Sequence, residues 1–145
     1  MAVATRQREC EVKVLDSEGH YPQQRLRKSK KKRIICKAGR RGGKTVGVAQ
    51  KGIEAFMGID IYGGNPSPPK RVLYQAPTSV QTDAFWFEVK SALADPVKAG
   101  VLRLNESERF IEFPNTRRRI KAKTAWDVNT SRGDYSDLLI LDECQ

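Results

Sequence analysis

The chain of 145 residues carries 27 lysines and arginines against 17 acidic residues, and this formal net charge of +10 favours a polyanionic partner such as nucleic acid. Its length allows one domain of ordinary size, and no apolar run is long enough to cross a membrane, so we expect a cytosolic protein. His20 is the only histidine, which excludes a histidine-based catalytic triad, and three cysteines at positions 10, 36 and 144 fit no zinc or disulfide spacing.

Residues 1–20 are predicted to be an N-terminal arm. Within it, residues 10–15 could be either a short strand or part of the arm. A basic run follows the sequence Tyr21-Pro-Gln-Gln24, and its members are Arg25, Arg27, Lys28, Lys30, Lys31, Lys32 and Arg33. Two interpretations of this run stay open: a solvated loop or helix face, or a surface that contacts phosphate backbones. Contact of the second kind would be independent of nucleic-acid sequence and sensitive to salt.

A short apolar strand is predicted at residues 34–36, and it leads into a glycine-rich cationic loop at residues 39–43. Lys44 and Thr45 then fall in the first turn of a predicted helix. This order is typical of a phosphate-binding loop, because glycines let backbone N–H groups converge on phosphate oxygens and the helix N-terminus adds a positive dipole end. The alternative is a Gly/Lys-rich turn that binds nothing, since Ala38 stands where the general pattern has glycine.

The middle of the chain alternates between helix and strand signals. The helix after the loop carries apolar residues at helical spacing and ends near Gly58, and the Gly/Pro-rich residues 63–69 predict a loop. A buried strand is predicted at residues 72–75, followed by a helix that runs to about residue 93. The consecutive aromatics Phe85, Trp86 and Phe87 cannot share one helix face, so at least one is expected to be exposed or to contact another element.

The last third of the chain predicts four strands. Residues 101–104, 109–113 and 119–125 are short strands, the last two are joined by a turn at Pro114-Asn115, and residues 126–134 are a polar loop. Leu138-Leu-Ile-Leu141 is predicted to be a fully buried strand. Along the whole chain, predicted strands alternate with predicted helices. This order favours an α/β architecture with a parallel sheet, into which the late antiparallel hairpin is inserted.

Two carboxylates, Asp142 and Glu143, follow the last predicted strand. In a nucleotide hydrolase, Asp142 would hold Mg²⁺ through water and Glu143 would polarise the attacking water. Lys44 would reach the β- and γ-phosphates of ATP, and the Thr45 hydroxyl would bind Mg²⁺. A strand capped by two solvated acids is the alternative, but the phosphate loop upstream favours the hydrolase.

Several segments, taken together and in this order, resemble the N-terminal part of the ATPase domain of a phage terminase large subunit, the motor that packages viral DNA. The segments are Pro22-Gln-Gln24, Ala38-Gly-Arg-Arg-Gly-Gly-Lys-Thr45, Gln75-Ala-Pro-Thr78, Phe113-Pro-Asn115, Ser131-Arg-Gly133 and Leu138-Leu-Ile-Leu-Asp-Glu143. The resemblance spans roughly residues 21–143. It includes the Walker A loop, with its paired arginines, and the Walker B strand with its acidic end.

The resemblance implies a RecA-like, additional-strand P-loop ATPase fold, truncated after the Walker B strand. Residues 21–145 would then hold part of the ATPase domain, without its C-terminal part and without the nuclease domain. The family's next strand inserts between the predicted strands at residues 34–36 and 138–141. We therefore expect a fragment that alone is poorly soluble or loosely folded and hydrolyses little ATP.

The resemblance also implies site roles. Gln24 would lie near adenine, Asp142 and Thr45 would bind Mg²⁺, and Glu143 and Lys44 would be catalytic together with Arg132, an arginine finger acting on a neighbour's ATP. A surface salt bridge is the alternative for Arg132. The implied ATP-binding residues are Gln24, Gly39, Arg40, Arg41, Gly42, Gly43, Lys44 and Thr45. The candidate DNA-binding residues are Arg25, Arg27, Lys28, Lys30, Lys31, Lys32, Arg117, Arg118 and Arg119.

The implied partners are double-stranded viral DNA, the portal protein, the small terminase subunit and further copies of the chain in a ring, all in the host-cell cytoplasm and without a membrane. Two other functions stay open. A superfamily 1 or 2 helicase shares the upstream glutamine, the Ala-Pro-Thr segment and the acidic pair, although the paired loop arginines favour terminase. The other is a basic nucleic-acid-binding fragment with a dead nucleotide site, which would bind ATP without turnover.

Overall fold

The structure is a computed structural model, and it describes residues 19–39, 41–58, 70–125 and 134–143. The predictions for the N-terminal arm, Arg40, the loop at 63–69 and Arg132 lie outside these residues. Within these described residues, four helices and five strands follow each other in the order α1 Tyr21–Lys28, α2 Lys44–Met57, β1 Val72–Ala76, α3 Ser79–Ala92, α4 Ala94–Lys98, β2 Arg103–Asn105, β3 Phe110–Glu112, β4 Arg119–Thr124 and β5 Leu138–Leu141.

The five strands form one mixed sheet in the order β2-β3-β4-β1-β5. β1 runs parallel to both β4 and β5, with Val72 opposite Ile120 on one side and Leu138 on the other. The pairs β2–β3 and β3–β4 are antiparallel, which confirms the predicted late hairpin. The three parallel strands therefore end at one edge of the sheet, the position at which α/β proteins place ligands.

Helices α2 and α3 cover one face of the sheet and form the core with it. A Cβ at Gly52 of α2 would lie 3.4 to 3.5 Å from Val72, Ile120 and Ile140, so the helix backbone packs directly on three strands. The core residues are Ala49, Ile53, Phe56, Val72, Tyr74, Ala76, Phe85, Trp86, Val89, Ala92, Leu93, Leu102, Ile111, Ile120 and Ala122. Among these elements, α2 was predicted from the helical spacing of its apolar residues.

Helix α1 is held to α2 by polar contacts rather than by an apolar face. Arg27 is buried, and its guanidinium donates to Glu54 and to Gln50 of α2. Lys51 donates from Nζ to three carbonyls at the C-terminal end of α1, at 2.9 to 3.1 Å. Burial lowers the pKa of Lys51, with the nearby Glu54 carboxylate opposing the shift. These contacts cap α1 and fix its position along α2.

Helix α3 begins at Ser79 with Thr78 as its N-cap, and Phe85 and Trp86 of this helix are buried in the core. Phe87 is 64% exposed, so the expectation that one of the three aromatics leaves the core is confirmed. The helix ends at Ala92, and α4 follows at once with Pro96 inside it. A proline is tolerated there because the first turn of a helix does not need its missing N–H.

Two strand predictions are wrong. Residues 34–36 form no strand, and Ile35 is 89% exposed. β5 is an edge strand whose Leu139 and Leu141 are 50% and 53% exposed, not the fully buried strand that its apolar run predicted. Residues 34–36 have no paired strand among the described residues. Exposure in β5 alternates, because Leu138 and Ile140 pack against the core while Leu139 and Leu141 lie on the sheet face that carries no helix.

The sheet face opposite the helices carries a row of cations gathered around one carboxylate, which we name the Asp134 cluster. Asp134 accepts from Arg71, Arg119, Lys121 and Lys123 at 2.7 to 3.5 Å, and all five side chains are at most 21% exposed. Alternation along β4 puts its three cations on one face. Burial alone would raise the pKa of Asp134, but the hydrogen bond from Lys123 and the neighbouring cationic charges outweigh it and lower this pKa.

Asp134→Asn is predicted to lower the free energy of unfolding by about 2 kcal/mol at neutral pH, because an amide cannot offset the cations. A carboxylate with a lowered folded-state pKa stabilises the fold above its unfolded-state pKa, and the contribution is lost as the pH falls through the folded-state value. Urea unfolding should therefore show the difference shrinking below about pH 4. Asp83→Asn, which breaks an exposed pair with Arg109, should cost about 0.5 kcal/mol or less; equal losses would contradict the prediction.

Candidate functional site

The glycine-rich loop makes a tight turn into α2. The Gly42 N–H donates to the Gly39 carbonyl at 3.1 Å, and Gly43 is the N-cap of α2 with a φ of 69°. A Cβ at Gly43 would lie 2.6 Å from Nε2 of Gln23 and would displace that side chain, and the positive φ favours glycine in addition. Arg41 also has a positive φ, of 63°. The turn leaves the first N–H groups of α2 at the loop, as a phosphate site needs.

Lys44 and Asp142, predicted from two distant motifs, meet in the structure. Nζ of Lys44 lies 3.2 Å from Oδ1 of Asp142, with the lysine side chain 27% exposed and the aspartate side chain 9% exposed. Lys44 opens α2, and Asp142 follows the carboxyl end of β5. Thr45 is the next residue of the first turn and is half-buried. The loop and the acidic pair therefore form one site at the carboxyl edge of the parallel strands.

Asp142 is also held by its neighbour on the other side. The Tyr74 hydroxyl donates to Oδ2 of Asp142 at 2.7 Å, and the Asp142 N–H donates to the Gln75 carbonyl at 2.9 Å. Burial raises the pKa of Tyr74 far above its ordinary value, and the hydrogen bond to Asp142 and the charges of Asp142 and Glu143 raise it further. The phenol therefore stays protonated and remains a donor at working pH.

Glu143 is exposed and has an unusual backbone conformation, with a φ of 50°. Its Oε2 accepts from Nε2 of Gln81 at 2.5 Å. Gln81 also belongs to the capping box of α3, in which its Oε1 accepts from the N–H and the hydroxyl of Thr78. Since the carbonyl end of the amide is occupied at the cap, its NH₂ end is left for the Glu143 carboxylate. A non-glycine residue at positive φ beside such a contact is typical of functional sites.

The glutamines of α1 have different surroundings. Gln23 is buried, and its Nε2 donates to the Gly43 carbonyl at 2.9 Å, so it supports the loop directly. Gln24, the predicted adenine contact, is half-buried and donates from Nε2 to the Gly19 carbonyl at 3.0 Å. The segment therefore lies beside the glycine-rich loop, and Gln23 is the residue that contacts it.

The candidate DNA-binding cations divide into three groups. Those exposed on α1 and in the segment that follows it are Arg25, Lys28, Lys30, Lys31 and Lys32. Arg27 and Arg119 are corrections to the predicted surface, because Arg27 is buried against Glu54 and Arg119 lies in the Asp134 cluster. Arg117 and Arg118 are exposed at the turn before β4, which is the opposite edge of the sheet from Lys44.

Sequence reasoning missed three residues of the site: Tyr74, Gln81 and Gln23. Tyr74 falls in the strand predicted to be buried at residues 72–75, and a buried tyrosine signals a hydrogen-bond partner without identifying it. Thr78 and Gln81 have the spacing of a capping box, a pattern that indicates a helix cap and not a second contact. Gln23 had no signal that separated it from its neighbour Gln24.

Comparison of the chain with protein-family models, with curated proteins and with solved structures found no match. Among the residues that the structure describes, no helix combines the length and apolar character needed to cross a membrane. Within the same residues, no group of three or more His, Cys, Asp and Glu side chains is arranged to hold a metal ion.

Proposed function

We propose that the chain is the ATP-hydrolysing part of a DNA-packaging motor of the terminase large subunit type, with a RecA-like P-loop fold. The observation that carries the proposal is the 3.2 Å separation of Lys44 Nζ and Asp142 Oδ1. A chance basic turn and a chance acidic pair have no reason to meet at the carboxyl edge of one sheet. The parallel order β4-β1-β5, with α2 and α3 on one face, supports the P-loop fold.

In this proposal the loop binds the phosphates of ATP. The N–H groups at the start of α2 and the Lys44 ammonium attract the phosphate oxygens, and the flexible lysine side chain exchanges its contact with Asp142 for them. Gln23 holds the loop in shape through the Gly43 carbonyl. The proposed ATP-binding residues are Gln24, Gly39, Arg40, Arg41, Gly42, Gly43, Lys44 and Thr45.

The donors at the site fit Mg²⁺. Asp142 and Thr45 offer a carboxylate and a hydroxyl oxygen, and Mg²⁺ in nucleotide sites is bound by one or two carboxylates together with phosphates and water. When bound, the ion would offset the negative charge of the phosphates. Asp142 is already oriented by Tyr74 and by its backbone bond to Gln75.

Glu143 is the proposed general base. Its carboxylate is exposed next to Asp142 and is held by Gln81, so it can accept the proton of a water that attacks the terminal phosphate. Arg132, which lies outside the described residues, is proposed by resemblance as a finger toward a neighbouring subunit. The proposed partners are double-stranded viral DNA, the portal protein, the small terminase subunit and further copies in a ring, in the host-cell cytoplasm.

Lys44→Ala is predicted to lower ATP affinity at least tenfold, because the phosphates lose their cationic partner. Isothermal titration of the chain with a non-hydrolysable ATP analogue measures this. Lys98→Ala is the matched control, since Lys98 is exposed on α4. Equal affinity in the Lys44 variant and the unaltered chain would contradict the phosphate-loop assignment.

Glu143→Gln is predicted to leave ATP affinity unchanged and to slow hydrolysis by about 10² to 10⁴, because the amide cannot act as a base. Single-turnover measurements with the chain in molar excess over labelled ATP detect even slow hydrolysis. Glu108→Gln, an exposed residue between β2 and β3, is the control. Hydrolysis at the unaltered rate in Glu143→Gln would show that another group activates the water, and binding without turnover in the unaltered chain would favour the dead-site alternative.

Replacing Lys30, Lys31 and Lys32 by glutamine is predicted to flatten the slope of log affinity for double-stranded DNA against log salt by roughly two to three units. Fluorescence anisotropy at several salt concentrations measures the slope. Replacing Arg117 and Arg118 tests the opposite edge of the sheet separately, and a double change of Lys98 and Arg103 is the control for general charge loss. An unaltered slope in the triple variant would return this segment to the interpretation of a solvated surface.

A further inference from the structure

Tyr74 of β1 places a hydroxyl where packing does not need one. The residue has no exposed surface, and its ring stacks on Phe85 of α3 with 3.9 Å between centroids and 6° between planes. A phenylalanine would fill the same space. Buried tyrosine hydroxyls need a hydrogen-bond partner, and here the partner is Asp142 of the candidate site, 2.7 Å away.

The two oxygens of the Asp142 carboxylate have separate donors. Oδ2 accepts from the Tyr74 hydroxyl, and Oδ1 lies next to the Lys44 ammonium. With one oxygen held from β1 and the backbone N–H held by Gln75, the carboxylate cannot turn freely about its side-chain bonds. Oδ1 is therefore the oxygen that faces the phosphate loop.

We propose that Tyr74 is a positioning residue for Asp142: its hydroxyl holds Oδ2 so that Oδ1 stays directed at the divalent cation that accompanies a nucleoside triphosphate in the loop. The inference rests on the proposed function, and it adds a residue that touches neither the nucleotide nor the cation. Tyr74 acts through the carboxylate alone, while its ring ties that carboxylate to α3. Removing outer-shell partners of metal-binding groups typically weakens metal affinity 10- to 100-fold.

Tyr74→Phe tests the inference because it removes the hydroxyl and keeps the ring that stacks on Phe85. A fluorescent ATP analogue is titrated into the chain first in EDTA and then at rising Mg²⁺ concentrations. Affinity in EDTA should be unchanged, and the Mg²⁺ concentration at half-maximal enhancement should rise about 10- to 100-fold. Tyr135→Phe is the matched control, since Tyr135 is 60% exposed with its ring over Arg71, and it should leave both quantities unchanged.

A double-mutant cycle separates positioning from a general structural effect. If the hydroxyl acts only through the carboxylate, Tyr74→Phe should have no further effect on the Mg²⁺ concentration in an Asp142→Asn background. Additive effects would contradict the inference. An unaltered chain that binds no nucleotide would contradict the proposed function and the inference with it, whereas nucleotide binding with the same Mg²⁺ midpoint in Tyr74→Phe would contradict the inference alone.

Should Tyr74→Phe fail to fold, the unaltered chain supplies a second measurement. A buried hydroxyl proton that is hydrogen-bonded to a carboxylate exchanges slowly enough to be observed by proton NMR. The Tyr74 hydroxyl signal should be present and should shift when Mg²⁺ is added to the complex with the ATP analogue. A signal that does not respond to Mg²⁺ would contradict the inference.

Discussion

The parallel pairing of β1 with β5 is the constraint on which the candidate site depends. It brings two segments from distant parts of the chain side by side, with Val72 opposite Leu138 and the Asp142 N–H bonded to the Gln75 carbonyl. A shift of one residue in this register would move every side chain of β5 to the other face of the sheet. Asp142 would then lose both Tyr74 and Lys44, so strand pairing and site chemistry share one geometric requirement.

The elements that could be predicted from the sequence are those with a recognisable residue pattern inside their own segment. The helical spacing of apolar residues in α2, the apolar residues of β1, the short-strand pattern of β4 and the boundary signals of α3 all lie within their own segments, and each of these elements is present within a few residues of its predicted bounds. Helix α1 gave no such signal, because it is held by the Arg27–Glu54 pair and by Lys51. The false strand at residues 34–36 and the exposed leucines of β5 show the same limit. An apolar run indicates that a segment can be buried. Whether it is buried depends on the elements that pack against it.

The residues of the candidate site also fall into two groups, those that the sequence predicted and those that only the structure shows. Lys44, Thr45, Asp142 and Glu143 were predicted because a phosphate loop and an acidic pair are local patterns with a chemical reason behind each residue type. Tyr74 and Gln81 contact these acids across elements, and no local pattern records a contact of that kind. Both residues orient the acids. The structure therefore reveals the contacts that hold the predicted carboxylates in place, and it does not add further candidate catalytic groups.

The exposed cationic segment at residues 30–39 is anchored at both of its ends. The Ser29 carbonyl accepts from Lys51, and the Gly39 carbonyl accepts from the Gly42 N–H. A chain closed in this way has fewer conformations than a free tail of equal length, so it loses less conformational entropy when it orders against a polyanion. A polyanion that binds this segment would therefore meet charges whose range of positions is limited by the folded framework.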